Sequence, residues 1–160
     1  MVQRPEVKPH VAGNVTIRHV LCPVDLSGAA AKALRYADAL RSALGAELTV
    51  LFVDPVATER PQDLEPREPT AFIAATVGSA TDVRAIQRQG EPVDEILRTS
   101  AALDCDLIVM GTHGHTGVQR LLLGSVAESV LRRSLTPVLV VPHAMAMRED
   151  GARLDSVICA

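Results

Sequence analysis

Short strand-like runs alternate with helical segments through most of the chain, and this alternation constrains the fold more than any other feature. The predicted strands are 17–24, 47–53, 82–89, 106–110 and 137–141. The second is apolar along most of its length, as in a sheet covered on both faces. Parallel strands need a crossover, usually a helix, between them. The sequence therefore predicts an α/β fold: a five-stranded parallel, doubly wound sheet between two helical layers, a Rossmann-like three-layer α/β/α arrangement.

Capping residues mark the helices between these strands. Ser27 suits the N-cap of the first helix, and Gly45 suits its C-cap. Pro92 fits the first position of a later helix. Ser125 and Glu128 match a capping box, which predicts that Ser125 opens the last helix.

The chain divides into three parts. Residues 1–14 and 143–160 are irregular and are predicted to be terminal extensions, so the domain is 15–142. Within it, the segment 54–81 is the least regular because it contains four prolines. At most a short helix around 70–77 is expected there.

Composition excludes several classes of function. With 160 residues and a net charge of −3, the chain suits one compact soluble domain. Only three residues are aromatic and none is Trp, so the stacking platforms of single-strand binding proteins are missing. A pI near 5.9 without a basic run argues against duplex binding. We expect no nucleic-acid partner.

The cysteines and the hydropathy point to a cytoplasmic protein. Cys22, Cys105 and Cys159 are an odd number and lie far apart, which suits a reducing compartment better than a disulfide framework. No run of 18 apolar residues occurs, so we expect no membrane partner.

The loop after the fourth predicted strand concentrates residues typical of anion sites. It contains Gly111, Gly114 and Gly124, the last followed by Ser125. In doubly wound sheets ligands bind beyond the carboxyl ends of the strands, where the amides and dipole of a following helix favour phosphate. Glycine loops also occur simply because the chain must turn, and the loop alone leaves both readings open.

Other motifs are excluded by inspection. A Walker loop requires a Lys, and none follows Lys32. The dinucleotide fingerprint GxGxxG is absent because the loop reads GxxGxxG. His113 and His115 invite a zinc interpretation, but such a site needs three or four ligands and no partner pair stands out. We predict neither a metal site of protein side chains nor catalytic residues.

Three segments resemble the universal stress protein family. The spacing Gly111-x2-Gly114-x9-Gly124-Ser125 matches the Gly-x2-Gly-x9-Gly-Ser/Thr pattern of its ATP-binding branch. Residues 20–27, VLCPVDLS, resemble the first strand and turn of the family, and 106–141 resemble its C-terminal signature, with GTHG, LLLGSVAESV and PVLVVP. The resemblance covers 16–142 and implies an adenine nucleotide alpha hydrolase-like fold. Family members normally have a long helix where this chain has the proline-broken segment.

The resemblance also implies an adenine-nucleotide site. Asp25 would lie near the base and ribose, although an Asp before a helix is often only a turn residue. Val53 would contact adenine, Met110 and Gly111 would line the base and ribose side, and Gly114 would form the ribose–phosphate turn.

The phosphates would be held through the backbone amides of Gly124, Ser125 and Val126. The complete implied set is Pro23, Asp25, Val53, Met110, Gly111, His113, Gly114, Gly124, Ser125 and Val126. The implied ligand is ATP, or else ADP, AMP or cyclic AMP, with Mg²⁺ bridging the phosphates because Lys is missing. Arg120 is the nearest cation in sequence, and a solvated loop Arg is the alternative interpretation.

Two functions remain open on the sequence. The first is a stress-response regulator that binds an adenine nucleotide, acts through conformation or partner choice, and hydrolyses ATP slowly at most. The second is a scaffold protein with a vestigial motif. An adenylate-forming enzyme is disfavoured because the SGGxDS loop is absent. The last strand, Val138–Val141, would be an apolar sheet edge, and the resemblance implies a homodimer through it.

Overall fold

A single α/β sheet with helices on both faces organises the chain. The computed structural model describes residues 15–54, 69–78, 82–112 and 123–142, and the backbone of 158–159. The elements are β1 (His19–Val24), α1 (Gly28–Leu44), β2 (Glu47–Asp54), α2 (Pro69–Val77), β3 (Val83–Gln89), α3 (Pro92–Ala102), β4 (Leu107–Gly111), α4 (Ser125–Arg133), β5 (Val138–Val141) and β6 (Ile158–Cys159).

The strand order is β3-β2-β1-β4-β5-β6. Strands β1 to β5 are parallel, which confirms the predicted five-stranded parallel sheet and the α/β class. A short sixth strand, β6, pairs antiparallel with β5. It lies in the segment predicted to be an irregular tail, so that prediction is wrong for these two residues.

Alternate side chains of β1, β2, β4 and β5 enter two separate cores. Val50 of β2 belongs to the core under α1 and α2, together with Leu34 of α1. Leu51, the next residue, belongs to the core under α3 and α4, together with Ile96 of α3. Successive strand residues point to opposite faces, so an apolar run without polar alternation buries both faces of the sheet.

The predicted caps of α1 are confirmed. Ser27 is the N-cap, and its hydroxyl accepts a hydrogen bond from the Ala30 N–H at 3.1 Å. Gly45 ends the helix at φ 66° and ψ 31°, a left-handed conformation that favours glycine.

The predicted capping box of α4 is wrong. Gly124, not Ser125, is the N-cap, and among the described residues no side chain caps this helix. The backbone of Gly124 is already extended, at φ −60° and ψ 149°, so Ser125 becomes the first helical residue. Glu128 does not reach back to a cap, because its carboxylate pairs with Arg132 at 2.8 Å.

The segment between β2 and β3 contains the expected short helix. Helix α2 has nine residues and buries only Ile73 fully. Strand β3 next to it is an edge strand whose side chains are mostly exposed. The rest of 54–81, apart from Asp54 and Gly78, lies outside the described residues.

At the amino end of the sheet, side chains form hydrogen bonds with backbone groups. The Asp106 carboxylate accepts from the backbone N–H groups of Arg18 at 2.8 Å and His19 at 3.0 Å. These two bonds lower the pKa of Asp106 from its ordinary value. The His19 ring lies 3.1 Å from the Leu103 carbonyl oxygen through Nδ1 and 2.8 Å from the Thr49 hydroxyl through Nε2. Because a carbonyl only accepts, Nδ1 is the donor, and a neutral ring accepts from Thr49 at Nε2.

Candidate functional site

The strand order reverses between β1 and β4, and four of the predicted site residues lie at that point. The chain moves outward from β1 through β2 to β3, then returns to place β4 on the other side of β1. Open α/β sheets bind ligands in the crevice at such a switch point. Pro23 and Asp25 come from the end of β1, and Met110 and Gly111 from the end of β4. The fold therefore brings the two halves of the predicted site together.

Asp25 shapes the turn from β1 into α1. Its Oδ1 accepts a hydrogen bond from the Ser27 N–H at 3.0 Å. Leu26, between them, has a left-handed backbone with φ 65°. The turn role that the sequence left open for Asp25 is confirmed.

Gly111 is required by a close backbone approach. A β-carbon at this position would lie 2.9 Å from the carbonyl oxygen of Ala29 and 3.0 Å from its carbonyl carbon. Both are backbone atoms of the first turn of α1, which cannot rotate away as a side chain can. The end of β4 thus packs directly against the start of α1, and Gly111 has a packing role independent of any ligand.

Two backbone hydrogen bonds join β5, β4 and α4 beside the site. The Thr112 N–H donates to the Val141 carbonyl at 3.2 Å, and the Gly124 N–H donates to the Thr112 carbonyl at 2.6 Å. The amide of Gly124, which the resemblance assigns to phosphate, is therefore engaged inside the protein. The amides of Ser125, Val126 and the following residue form the first turn of α4.

The start of α4 differs from the starts of α1 and α3. Ser27 caps α1 and the Glu91 carboxylate caps α3, each through a side-chain oxygen. Within the described part of the chain, α4 has no such cap, and Ser125 at its first position is exposed. The first amides of a helix have no intrahelical acceptor, and the dipole favours an anion there.

Val53 and Met110 lie on the same face of the sheet. Both belong to the core on the α3–α4 side, where Met110 is 6% exposed and Val53 is partly buried. His113 and Gly114, with His115 and Arg120, lie outside the described residues.

Sequence reasoning missed two residues of this site. The Ala29 backbone sets the space at Gly111, and Thr112 joins the ends of β4 and β5 to α4. The run of small residues after Ser27 was a signal for close packing by α1. The role of Thr112 lies in its backbone, which side-chain patterns do not report.

The described residues offer little chemistry of other kinds. In the ranges 15–54, 69–78, 82–112 and 123–142, no three His, Cys, Asp or Glu side chains cluster as metal ligands. Cys22 and Cys105 are buried free thiols. Burial, with the nearby Asp106 and Asp104 charges, raises the pKa of Cys105 to about 11, which disfavours a nucleophilic thiolate.

No helix in the described part of the chain has the length and apolar character needed to cross a membrane.

Several curated proteins are similar to parts of this chain or to most of it. The universal stress protein MJ0531 of Methanocaldococcus jannaschii is 53% identical over 53 residues, which are 33% of this chain and 31% of that protein. MJ0577 from the same organism is 46% identical over 52 residues, 32% of either chain. The chain thus matches only about a third of the length of these relatives. The universal stress protein YxiE of Bacillus subtilis is 30% identical over 145 residues, 76% of this chain and 97% of that protein.

Solved structures extend the likeness to the whole fold. The structure of MJ0577 has a TM-score of 0.68 at 28% identity, covering 82% of this chain and 100% of that one. UspA of Lactobacillus plantarum has a TM-score of 0.65 at 26% identity, covering 80% and 99%. A universal stress protein in complex with cAMP has a TM-score of 0.62 at 26% identity, covering 81% and 99%. The model of the universal stress protein family matches residues 16–142, and the chain belongs to this family.

Proposed function

We propose that this protein is a stress-response regulator that binds an adenine nucleotide, ATP or a related one, at the switch point between β1 and β4. The nucleotide changes the conformation or the partner choice of the protein. The buried free thiols Cys22 and Cys105 suit a cytoplasmic location.

The observation that carries the proposal is the start of α4 at the carboxyl edge of the sheet, which no side chain of the described residues caps. Its first amides, from Ser125 and Val126 onward, are donors without an intrahelical acceptor. A phosphate group there would accept from them and interact favourably with the helix dipole. Helix α1 opens at the same edge but is capped by Ser27, so α4 is the better phosphate site.

A solved relative supports the class of ligand. The universal stress protein crystallised with cAMP shares the fold, with 26% identity and coverage of 81% of this chain. The adenine would lie against the edge of the core that contains Val53 and Met110. Selectivity would then come from backbone hydrogen bonds, because the described part of the site contributes no aromatic ring.

The described part of the site has little machinery for turnover. Asp25 is its titratable side chain, and one of its oxygens accepts from the Ser27 N–H. A general base must reach the proton it removes, and a phosphoryl-transfer site normally adds a cation on the phosphates. We therefore propose that ATP is hydrolysed slowly at most.

A Mg²⁺ ion fits this site only as a companion of the phosphates. The described residues contain no cluster of three metal-ligating side chains. Mg²⁺ usually keeps several waters and binds through one or two carboxylates plus substrate phosphates. Bridging of the phosphates, with Asp25 as the carboxylate at hand, would meet that requirement.

Equilibrium titration of nucleotide-stripped protein with ATP, ADP, AMP and cyclic AMP tests the proposal. Each titration is run with Mg²⁺ and with EDTA, so that the contribution of the ion is separated from that of the protein. We expect saturable binding of at least one nucleotide. Absence of binding below millimolar concentrations of all four would refute it.

Two variants of one residue test where the phosphates bind. Ser125→Pro removes an amide N–H at the first helical position, where proline is well tolerated, as Pro92 is in α3. Ser125→Ala removes the hydroxyl and keeps the amide. If the amides hold the phosphates, Ser125→Pro weakens ATP binding more than Ser125→Ala, while both variants remain folded. Equal affinities in both variants and the wild type would place the phosphates elsewhere.

A second candidate, a scaffold that binds no nucleotide, is favoured by one specific observation. Gly111 is explained by packing against Ala29, and the Gly124 amide by its bond to Thr112. Two of the three motif glycines thus have structural roles without a ligand. Gly114→Val discriminates: a stress phenotype that survives loss of nucleotide binding supports the scaffold.

We also propose a homodimer that pairs β5 with β5 of a second copy. All four residues of β5 are buried, the most exposed being Val138 at 7%. A two-fold axis perpendicular to the sheet reverses the strand direction, so the two β5 strands would pair antiparallel. Sedimentation or light scattering that gives only the 17.0 kDa monomer at all concentrations would contradict it.

A further inference from the structure

The outer edge of β5 already has an occupant from the same chain. Strand β6 pairs antiparallel with β5, with Leu139 opposite Cys159 and Val140 opposite Ile158. A sheet edge has one row of free backbone donors and acceptors, and it pairs with one strand at a time. A second copy and β6 therefore require the same backbone groups of β5.

We propose that β6 is an intramolecular competitor of self-association, which holds the chain as a monomer while docked and exposes the dimer edge when released. The inference rests on the homodimer proposed above. Its partner is a second copy of this chain. The antiparallel direction of β6 is the direction that β5 of a two-fold-related copy would have, so β6 occupies the edge in the same manner.

The two possible partners of β5, β6 and a second copy, can replace each other reversibly, because neither has every advantage. Strand β6 pairs with only two residues of β5, whereas β5 of a second copy offers four. Against this, β6 is tethered: the fifteen residues 143–157 join it to the domain. Such a linker spans at most about 50 Å and gives the tethered strand an effective concentration of order millimolar. The tether favours β6 at low protein concentration, and the longer pairing favours the copy at high concentration.

Docking of β6 lowers the dimer association constant by the square of the factor that applies to one chain, because each copy must release its own β6. If β6 is docked about ten times as often as it is released, the apparent dimer constant falls about 100-fold. Even a docking ratio of about three to one weakens association about 16-fold. The competition is therefore measurable even though the strand is short.

The test compares full-length chains by sedimentation velocity over a range of concentrations, with a reducing agent present to exclude disulfide dimers. The variant Ile158→Pro with Cys159→Pro prevents strand pairing by β6, because proline has no N–H to donate. The matched control, Ala152→Pro with Arg153→Pro, places two prolines in the same tail outside β6. Circular dichroism checks that all three proteins are folded.

We expect the β6 variant to dimerise at least about 10-fold more tightly than the wild type, and the control to match the wild type. A synthetic peptide of residues 155–160 added to the variant should return it toward the monomer.

Three results would overturn the inference, and they are distinguishable. Equal dimerisation of wild type and β6 variant means that β6 does not compete, although the homodimer stands. Loss of the dimer in the variant means that β6 is exchanged between copies and builds the dimer. Monomers in all proteins at every concentration refute the homodimer, and the inference with it.

Discussion

The two ends of the sheet differ in how completely side chains satisfy their backbone groups. At the amino end, the side chains of Asp106 and His19 bind backbone groups, and Thr49 completes the network. At the carboxyl end, Asp25 and Ser27 accept from backbone N–H groups in the turn into α1. Gly111 and Gly124 there make backbone contacts, and the start of α4 has no side-chain cap among the described residues. An end that is closed by its own side chains contributes stability, whereas an end with unused donors can bind a ligand.

Adding a side chain at the close backbone approach between β4 and α1 should have the largest effect. Gly111→Val places carbon atoms against the Ala29 carbonyl, which lies 2.9 Å from the β-carbon position. We expect the free energy of unfolding to fall by about 1–3 kcal/mol, since overpacking forces backbone shifts. Urea unfolding measures it, and nucleotide binding should be lost as well.

The neighbouring Met110→Leu is the matched control for this variant. It conserves volume in the same strand and should cost less than about 1.5 kcal/mol. If Gly111→Val were as stable as Met110→Leu, the close packing of β4 on α1 would be refuted.

At the amino end, Asp106→Asn tests the contribution of a charge. The folded-state pKa of Asp106 is lowered by the N–H groups of Arg18 and His19, so its contribution to stability is complete above the unfolded pKa. That contribution is lost as the pH falls from about 4 through the folded-state pKa, where both states become protonated. The wild type should therefore lose part of its Tm advantage over Asp106→Asn on acidification. A constant difference in Tm from pH 7 to pH 3 would contradict this.

A charge added at the start of α4 should affect nucleotide binding and stability in different directions. Ser125→Asp places a carboxylate at the first position of α4, where the phosphates are proposed to bind. The helix dipole favours this charge by about 0.3–1 kcal/mol, so Tm should be unchanged or higher. Nucleotide affinity should fall, because the new charge repels phosphate. Ser125→Asn, which is uncharged and of the same size, should retain more affinity. Equal nucleotide affinities of the Asp and Asn variants would argue against phosphates at this helix.

The smallest expected effect concerns reactivity alone. Burial, followed by the charges of Asp106 and Asp104, raises the pKa of Cys105 to about 11. In the folded protein at pH 8, we expect iodoacetamide to modify Cys105 much more slowly than in the urea-unfolded chain. Peptide mass spectrometry measures both rates. Comparable rates would show that Cys105 is accessible to the reagent in the folded protein, which contradicts its burial.

Much of the fold was predictable because it depends on local patterns. The parallel strands, the caps of α1 at Ser27 and Gly45, and the short α2 all follow from periodicity, capping and proline placement. The cap of α4 was not predictable, since Ser125 and Glu128 satisfy a capping-box pattern. Two contacts decided it: the Gly124 N–H bonds to Thr112 across the loop, and Glu128 pairs with Arg132 one turn further along the same helix. Strand β6 was missed because two residues carry no periodicity.

The position of the candidate site residues in the fold was predictable, but their structural roles were only partly so. The carboxyl ends of β1 and β4 had to be adjacent once the strand order was given, so Asp25 and Gly111 lie at the same edge of the sheet. Asp25 proved to shape a turn, and Gly111 to allow the packing of α1. Sequence spacing does not separate these roles from ligand contact, because both require the same small or polar residue.

The sequence by itself determined the class of fold and the family, and it predicted the edge of the sheet at which we propose that a ligand binds, because hydrophobic periodicity and glycine spacing are properties of neighbouring residues. The tertiary structure decided which helix start has no side-chain cap within the described ranges and which strand covers β5. Both depend on backbone hydrogen bonds between segments distant in the chain, such as Thr112 with Val141 and Leu139 with Cys159. Every residue but proline carries the same backbone donor and acceptor, so their pairing is fixed only when the chain has folded.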